Sequence, residues 1–193
     1  MDAAGAGPDI LLLRDWLLAA EATRLAAALH DGLPWQVHRV RMFGRESDSP
    51  RLSCWIGDPG TDYRYSGVRH APHPWPRILR PLRGRLAGET GEDFNSVLAN
   101  LYRDGRDSMG WHSDDEPELG ARPVIASLSL GATRRFLLRH RRDAGRRVAL
   151  DLPHGSLLVM RGDTQAQWRH ALPRTARVVE PRINLTFRRI LTG

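Results

Sequence analysis

The segment WHSDDEP at 111–117 places one histidine beside three carboxylates. His112 and Asp114 are separated by one residue, so in an extended segment their side chains project from the same face and can bind one cation together. An isolated pair of this kind is more often a loop histidine beside helix-capping acids. The pair alone therefore does not indicate a metal site.

A third metal ligand is available downstream at His170. It follows the apolar segment SLLVM at 156–160 and the loop RGDTQAQW at 161–168, so we expect it on a neighbouring strand. Two histidines and one carboxylate on one face form the ligand set of non-haem Fe(II) oxygenases, which leaves positions open for O2 and a co-substrate. We therefore predict that His112, Asp114 and His170 bind Fe(II).

Two arginines near the C-terminus add a second chemical feature. The segment RINLTFRRI at 182–190 alternates apolar and polar residues, and Arg182 and Arg188 are six residues apart. An even separation puts both on the polar face of a strand. A guanidinium pairs bidentately with a carboxylate, so an inward-facing arginine beside a metal suits a dicarboxylate co-substrate.

The segments that must position these residues predict a mainly β domain. Before residue 95, leucines at helical spacing predict helices over 11–29 and about 76–86, packed outside a sheet. Beyond residue 95, short apolar segments are separated by turn residues without intervening helices, which favours an antiparallel sandwich or barrel. We predict strands at 97–102, 124–130, 134–139, 148–152, 156–160 and 182–190.

The composition indicates a soluble protein with a polyanionic partner. A length of 193 residues fits one domain, and the longest apolar runs are far too short to span a membrane. A single cysteine, Cys54, and the absence of a secretory signal pattern favour the cytoplasm. The net charge of +7 favours nucleic acid as the partner. All 29 basic residues are arginine and none is lysine. Either phosphate recognition by guanidinium groups or a coding bias would explain the absence of lysine.

Four longer segments carry a resemblance to a known family. They are FNSVLANLYRDGRDSMGWHSDDEPELG from residue 94, PVIASLSLGATRRF from 123, LPHGSLLVMRGDTQAQWRHALP from 152 and PRINLTFRRI from 181. Over about residues 34–190 the chain resembles the AlkB family of Fe(II)- and 2-oxoglutarate-dependent dioxygenases. The resemblance implies an α+β, mainly β fold: a double-stranded β-helix, or jelly roll, over about 95–193, with N-terminal helices and a nucleotide-recognition region over about 1–94.

The resemblance also implies roles for particular residues. The iron ligands would be His112, Asp114 and His170, and the cofactors Fe(II), 2-oxoglutarate and O2. The residues implied to hold 2-oxoglutarate are Asn100, Tyr102, Arg182 and Arg188, with Arg182 facing the C5 carboxylate and Tyr102 assisting it.

Two further histidines compete for the place of third ligand. His140 lies in a basic tip at 139–147, and His154 lies in a Pro-His-Gly turn that the family also has without using it for metal. We expect structural roles for both.

The activity implied by the family is oxidative demethylation of N1-methyladenine and N3-methylcytosine in DNA, with release of formaldehyde and succinate. The substrate would be alkylated single- or double-stranded DNA, and the protein is expected to act as a monomer. RNA demethylation is the alternative within enzymes of this kind. Protein hydroxylation or demethylation, and a non-catalytic nucleic-acid binder on the same fold, are the others.

Substrate contacts are expected from several further residues. The turn of Met42, Phe43 and Gly44 resembles the finger that double-strand-specific members push into the base stack, while ordinary core or hairpin packing is the alternative for Phe43. The remaining candidates are Arg51 near the base pocket, Tyr65 and Trp111 lining or closing it, and Asp115 contacting either the flipped base or a nearby arginine. For Asp115, support of the metal-binding loop is the alternative, and for the two aromatic residues it is core packing.

Overall fold

The computed structural model of the protein describes residues 7–42, 45–65 and 68–191, and of 38–42, 45–47, 63–65 and 68–70 it describes only the backbone. The α-helices in these ranges are α1 (Ala19–Gly32), α2 (Arg80–Thr90) and α3 (Thr164–Gln167), and a 3-10 helix covers Pro117–Leu119. The strands are β1 (Ile10–Leu13), β2 (Gln36–Met42), β3 (Arg45–Gly57), β4 (Tyr63–Tyr65), β5 (Val68–His70), β6 (Ser96–Tyr102), β7 (Met109–His112), β8 (Ile125–Gly131), β9 (Arg134–His140), β10 (Arg147–Leu152), β11 (Leu157–Met160), β12 (Trp168–Leu172) and β13 (Arg182–Arg188). Among the described residues, no helix is long and apolar enough to cross a membrane.

Two antiparallel sheets form the jelly roll. The major sheet has seven strands in the order β1-β11-β8-β13-β6-β3-β2, and the minor sheet has four in the order β10-β9-β12-β7. Strands β4 and β5 form a separate two-stranded ribbon. Strands from both halves of the chain pair in the major sheet, since β3 lies beside β6 and β1 beside β11. The predicted mainly β jelly roll is confirmed.

Strand β13 is buried on both faces, and its alternation separates the apolar core from the cavity. Ile183, Leu185 and Phe187 pack into one cluster with buried leucines of α1 and α2. Burying an apolar side chain of this size contributes roughly 1.5–3 kcal/mol, so this face stabilises a strand whose other face is polar. The residues of the polar face line the cavity between the sheets: Arg182, Asn184, Thr186 and Arg188.

The apolar part of the space between the sheets forms a second cluster. Phe136 and Leu138 of β9 and Trp168 of β12 are buried there against Leu98 and Leu158 of the major sheet. The two clusters lie on opposite faces of the major sheet, so the helices cover one face and the minor sheet covers the other. The cavity therefore lies between the two sheets.

The prediction of a helix over 11–29 is wrong in its N-terminal part. Ile10–Leu13 forms strand β1, which pairs with β11 at the edge of the major sheet, and α1 begins only at Ala19. A short run of leucines has no periodicity that distinguishes a strand from a buried helix. Here the segment is a strand because it pairs with β11 at the edge of the major sheet. The second helix begins at Arg80 rather than about residue 76, with Pro81 in its first turn, where the missing N–H costs no hydrogen bond.

The hairpin of β2 and β3 lies at the far edge of the major sheet and was not among the predicted strands. Strand β3 pairs with β6 from Leu52↔Leu101 to Gly57↔Ser96. Arginines and serines interrupt the apolar alternation in this segment, so the period-two signal is weak. The hairpin extends a sheet edge that the strands beyond residue 95 alone would leave exposed at β6.

Candidate metal centre and co-substrate cavity

His112, Asp114 and His170 lie together on the wall of the cavity between the sheets. Their potential ligand atoms all lie within 4.8 Å of one another. Strands β7 and β12 are neighbours with His112 opposite His170, and the two imidazole centroids are 4.2 Å apart. The structure thus brings together the three residues that the sequence predicts as iron ligands.

Neighbouring groups constrain the orientation of the three candidate ligands. Nδ1 of His112 lies 2.8 Å from the carbonyl oxygen of Gly110, which can only accept, so Nδ1 carries the proton and Nε2 is free to bind a metal. The ring of Phe136 stacks on His170 with centroids 5.2 Å apart. The backbone N–H of Asp114 donates to Oε1 of Gln165 at 2.9 Å, which ties the ligand loop to α3.

The carboxylate of Asp114 is held by a buried guanidinium. Nη2 of Arg188 donates to Oδ1 of Asp114 at 2.5 Å, and both side chains are about 95% or more buried. The other oxygen, Oδ2, lies 3.8 Å from Nε2 of His170. Arg188 therefore orients one carboxylate oxygen and leaves the other directed towards the histidines.

Burial and charge set the protonation of this cluster. Burial lowers the pKa of His112, and it lowers the pKa of His170 to about 3. Burial alone would raise the pKa of Asp114, but Arg188 and the two imidazoles outweigh it and hold that pKa at about 2. At neutral pH the cluster is one carboxylate between two neutral imidazoles, which is the protonation state that metal ligation requires.

A row of buried polar side chains continues from the cluster along the cavity. Nη2 of Arg182 donates to Oγ of Ser129 at 2.9 Å and to Oδ1 of Asn184 at 2.8 Å. Nδ2 of Asn184 donates to Oγ1 of Thr186 at 2.7 Å, and Ser127 donates to Oδ1 of Asn184 at 3.0 Å. These contacts hold Arg182 through neutral groups only.

The Arg182 guanidinium provides the test of whether the cavity fits a dicarboxylate. Its side chain is 2% exposed, and burial lowers its pKa to about 10. Among the described residues no carboxylate pairs with it, and its buried Nε has no hydrogen-bond partner. A buried charge without a counter-ion is costly, so the site is complementary to an anion. Two nitrogen donors and one oxygen donor with open positions fit Fe(II), and this arginine fits a carboxylate of 2-oxoglutarate.

Comparison with known proteins agrees with this geometry. Residues 9–188 match the model of the 2OG-Fe(II) oxygenase superfamily. The chain belongs to this superfamily. The resemblance to AlkB proteins is also confirmed by its similarity to individual relatives, so the chain is a member of the AlkB group.

Three proteins illustrate the similarity. Alpha-ketoglutarate-dependent dioxygenase alkB homolog 3 of Homo sapiens is 43% identical over 179 residues, covering 88% of this chain and 62% of that protein. DNA oxidative demethylase ALKBH2 of Mus musculus is 45% identical over 160 residues, covering 79% of this chain and 67% of that protein. A solved structure titled "The structure of OsALKBH1" shares the fold with a TM-score of 0.63 at 17% identity, covering 96% of this chain and 100% of that one. The chain thus spans roughly three fifths to two thirds of the length of these two relatives.

The residues predicted to hold 2-oxoglutarate all line the cavity between the sheets. Asn100 and Tyr102 lie on β6, opposite Asn184 and Arg182 of β13 in the register. The guanidinium of Arg182 lies 5.3 Å from the centroid of the Tyr102 ring. Their roles toward the co-substrate stay a prediction that this placement supports.

Sequence reasoning missed several residues of the cavity and its surroundings. Asn184 and Thr186 were recognised as polar positions of the last strand but given no role, and Gln165 was treated as part of a loop. The alternation of β13 could have found the first two, because their separation from Arg182 is even. Gln165 gave no such signal, since its contact with Asp114 spans two distant segments.

The predicted substrate residues are placed differently from one another. Arg51 is 5% exposed and donates through Nε to Oδ1 of Asn100 at 2.8 Å, so it contacts a cavity residue rather than solvent. Asp115 is half-exposed and forms an ion pair with Arg141, so it contacts a nearby arginine, which is one of the contacts predicted for it.

The aromatic candidates are less enclosed or lie outside the described part of the chain. Trp111 is 39% exposed, with the guanidinium of Arg139 lying 4.6 Å from its ring centroid. Phe43 lies outside the described residues, as do the side chains of Met42 and Tyr65.

The two competing histidines lie away from the metal cluster. His140 accepts backbone N–H groups of Arg142 and Asp143 through Nδ1, at the tip between β9 and β10. Nδ1 of His154 accepts the N–H of Gly131 at 2.8 Å. Both contacts support turns.

Proposed function

We propose that this protein is an Fe(II)- and 2-oxoglutarate-dependent dioxygenase that oxidatively demethylates alkylated bases in DNA. The observation that carries the proposal is the buried cluster of His112, Asp114 and His170, which shares its cavity with Arg182. The Arg182 guanidinium is buried and has no carboxylate partner among the described residues. The relatives named above are a DNA oxidative demethylase and an alpha-ketoglutarate-dependent dioxygenase. Site geometry and relatives therefore favour the same reaction.

When bound, Fe(II), O2 and 2-oxoglutarate would supply the oxidising power for hydroxylation of an N-methyl group, with formaldehyde, succinate and carbon dioxide as the products. The chain binds, orients and excludes water. His112, Asp114 and His170 would hold the iron, and Arg182 would pair with the distal carboxylate of 2-oxoglutarate. Phe136, Met160 and Leu172 line the same cavity and keep its wall apolar beside the polar row.

Base flipping connects this buried site to a nucleic-acid substrate. A base in a duplex must leave the stack before it reaches an enclosed site, which costs a few kcal/mol, and an alkyl group that blocks pairing lowers that cost. N1-methyladenine and N3-methylcytosine are lesions of this kind. We propose Phe43 as the residue that fills the gap left by the flipped base.

A stripe of arginines on the outer face of the minor sheet supports a polyanionic substrate. Arg147 of β10 is opposite Arg139 of β9, and Arg139 is opposite Arg169 of β12. Like charges directly opposite on neighbouring strands are destabilising, and none of the three forms an ion pair with a described residue. Phosphates of a nucleic acid would offset this repulsion. We call Arg139, Arg147 and Arg169 the arginine stripe.

The experiment that tests the function is turnover of defined oligomers by the metal-loaded enzyme. Protein is reconstituted anaerobically with Fe(II) and 2-oxoglutarate, and O2 is admitted with oligomers that carry N1-methyladenine or N3-methylcytosine. We expect mass spectrometry to show loss of one CH2 with formation of succinate, and Asp114→Ala to show neither.

Matched DNA and RNA oligomers, single- and double-stranded, identify the substrate. Succinate without repair of any oligomer would move the substrate assignment away from nucleobases, and a strong preference for RNA would replace DNA as the substrate. With Phe43→Ala, we expect repair of duplex to fall more than repair of single strands. Equal loss on both would remove the finger assignment.

A further inference from the structure

A second buried guanidinium lies beside the co-substrate cavity. Arg134 begins strand β9, is 4% exposed, and lies on the same face as Phe136, which lines the cavity. Its guanidinium carbon is 5.9 Å from the centroid of the Tyr102 ring, and that of Arg182 is 5.3 Å from the same centroid. Two cations therefore share one aromatic ring at the Arg182 part of the cavity.

The hydrogen bonds of Arg134 join two loops. Nη1 donates to the carbonyl of Asp104 at 3.1 Å, and Nη2 donates to the carbonyls of Asp107 at 2.9 Å and Pro173 at 2.8 Å. The first two carbonyls lie in the loop between β6 and β7, and the third follows β12. Arg134 thus holds the loop that follows Tyr102 against the segment that follows His170.

These two loops are also in close contact at Gly105. The backbone N–H of Thr175 donates to the carbonyl of Gly105 at 2.8 Å, and a Cβ built on Gly105 would lie 2.4 Å from the carbonyl oxygen of Thr175. A side chain at this position is therefore excluded. The two loops are thus held together by a backbone contact beside Arg134.

The charge of Arg134 is not required by these contacts. Its three acceptors are neutral carbonyls, and no described carboxylate lies within ion-pair distance of Arg134 or Arg182. Burial lowers the pKa of Arg134, and the nearby carboxylates of Asp107 and Asp104 offset this only in part, so its buried charge is incompletely compensated, which is costly. Proximity of the two cations adds to this cost, since like charges raise each other's free energy. An anion between or beside them would offset both costs.

We propose that Arg134 is a positioning and specificity residue for 2-oxoglutarate: it fixes Tyr102 beside Arg182 and adds a second positive charge that selects a co-substrate with a distal carboxylate. This inference rests on the proposed function. A 2-oxo acid without that carboxylate gains nothing from the second charge. Arg134 touches neither the metal ligands nor, in this role, the reacting atoms.

The test is a direct binding measurement in the absence of turnover. Mn(II)-loaded protein is titrated calorimetrically with 2-oxoglutarate and, separately, with 2-oxobutyrate, which lacks the distal carboxylate. For Arg134→Gln we expect the Kd for 2-oxoglutarate to rise about tenfold or more, and the Kd for 2-oxobutyrate and for Mn(II) to change by less than about twofold. In turnover, KM for 2-oxoglutarate should rise more than kcat falls.

Arg135→Gln is the matched control. Arg135 is the next residue, is exposed, and pairs with Asp151 on the outer face of the minor sheet. We expect it to leave both Kd values unchanged. Equal weakening of 2-oxoglutarate and 2-oxobutyrate by Arg134→Gln would reduce Arg134 to a structural support and overturn the selectivity claim, as would no change in either.

Arg134→Lys covers the case in which the glutamine variant folds poorly. It keeps the charge but loses the planar fork that reaches three carbonyls. We expect it to retain selectivity for 2-oxoglutarate over 2-oxobutyrate, and loss of that selectivity in a folded protein would contradict the charge-based role. Failure of the wild-type protein to bind 2-oxoglutarate at all would instead refute the proposed function itself.

Discussion

The two faces of the minor sheet use the same strands for different tasks. On the inner face, His170 and Leu138 are opposite one another in the register and are buried against the cavity. On the outer face, one residue away along each strand, Arg169 and Arg139 are opposite one another and face solvent. Period-two alternation alone therefore places the metal chemistry and the proposed phosphate contacts on opposite sides of a single layer.

The contrast between the faces is one of charge compensation. Inside, the buried guanidinium of Arg188 compensates the Asp114 carboxylate, and the backbone N–H of Asp114 donates to Gln165. Outside, the stripe arginines repel one another in water, where the cost is small and salt screens it. The inner face should consequently determine whether the reaction occurs, and the outer face how tightly and how salt-dependently the substrate binds.

The largest expected effect is loss of the metal through Asp114→Ala. Removing this carboxylate takes away one of three ligands and the acceptor of the Arg188 hydrogen bond, so we expect no measurable turnover and severely weakened Mn(II) binding by calorimetry. Asp115→Ala removes the neighbouring carboxylate, which is half-exposed and pairs with Arg141. Retained metal binding in Asp115→Ala and its loss in Asp114→Ala would show that only Asp114 is a ligand. Equal loss in both variants would show that metal binding depends on the conformation of the loop rather than on the Asp114 carboxylate.

Adjacent leucines of β9 test the same contrast in stability. Leu138 is fully buried on the inner face, so Leu138→Ala should lower the free energy of unfolding by about 2–5 kcal/mol. Leu137 is only partly buried on the outer face, so Leu137→Ala should cost less than about 1 kcal/mol. Denaturant unfolding measures both. Comparable losses would mean that the outer face is covered by something other than solvent.

The arginine stripe should affect binding without affecting the chemistry. Replacing Arg139, Arg147 and Arg169 together with Gln should reduce the slope of log affinity against log salt for duplex DNA by about 2–3, because up to three phosphate contacts are lost. Fluorescence anisotropy over a salt series measures the slope. Mn(II) and 2-oxoglutarate binding should be unchanged.

A control that removes the same number of charges elsewhere distinguishes a DNA-binding surface from attraction by the overall positive charge. Arg24, Arg77 and Arg80 are exposed and lie in or near the helices that cover the other side of the major sheet. Their combined replacement with Gln removes the same three charges. An equal fall in slope with this control would show that overall charge, and not the stripe, attracts the DNA.

Much of this architecture was predictable from local patterns, and the exceptions share a cause. The alternation around Arg182 and the spacing of His112 and Asp114 are short-range signals, so the strand and the ligand pair could be predicted. The contacts of Arg134 with three carbonyls and of Gln165 with Asp114 join segments far apart in the chain. Nothing in the local sequence encodes them, and β1 was misassigned because its strand character depends on pairing with β11.

The smallest expected effect concerns Trp111, and it decides between two roles. In the first role, Trp111 only supports Arg139, whose guanidinium lies 4.6 Å from the ring centroid. Trp111→Leu would then remove an exposed cation–π contact worth about 0.5–1 kcal/mol, and DNA binding should weaken by less than about sixfold. The sequence-based prediction that Trp111 lines or closes the base pocket requires a larger loss that depends on the lesion. Anisotropy with alkylated and unmodified oligomers separates these outcomes: an equal, small loss on both assigns Trp111 to the stripe, and a loss confined to the alkylated oligomer assigns it to the flipped base.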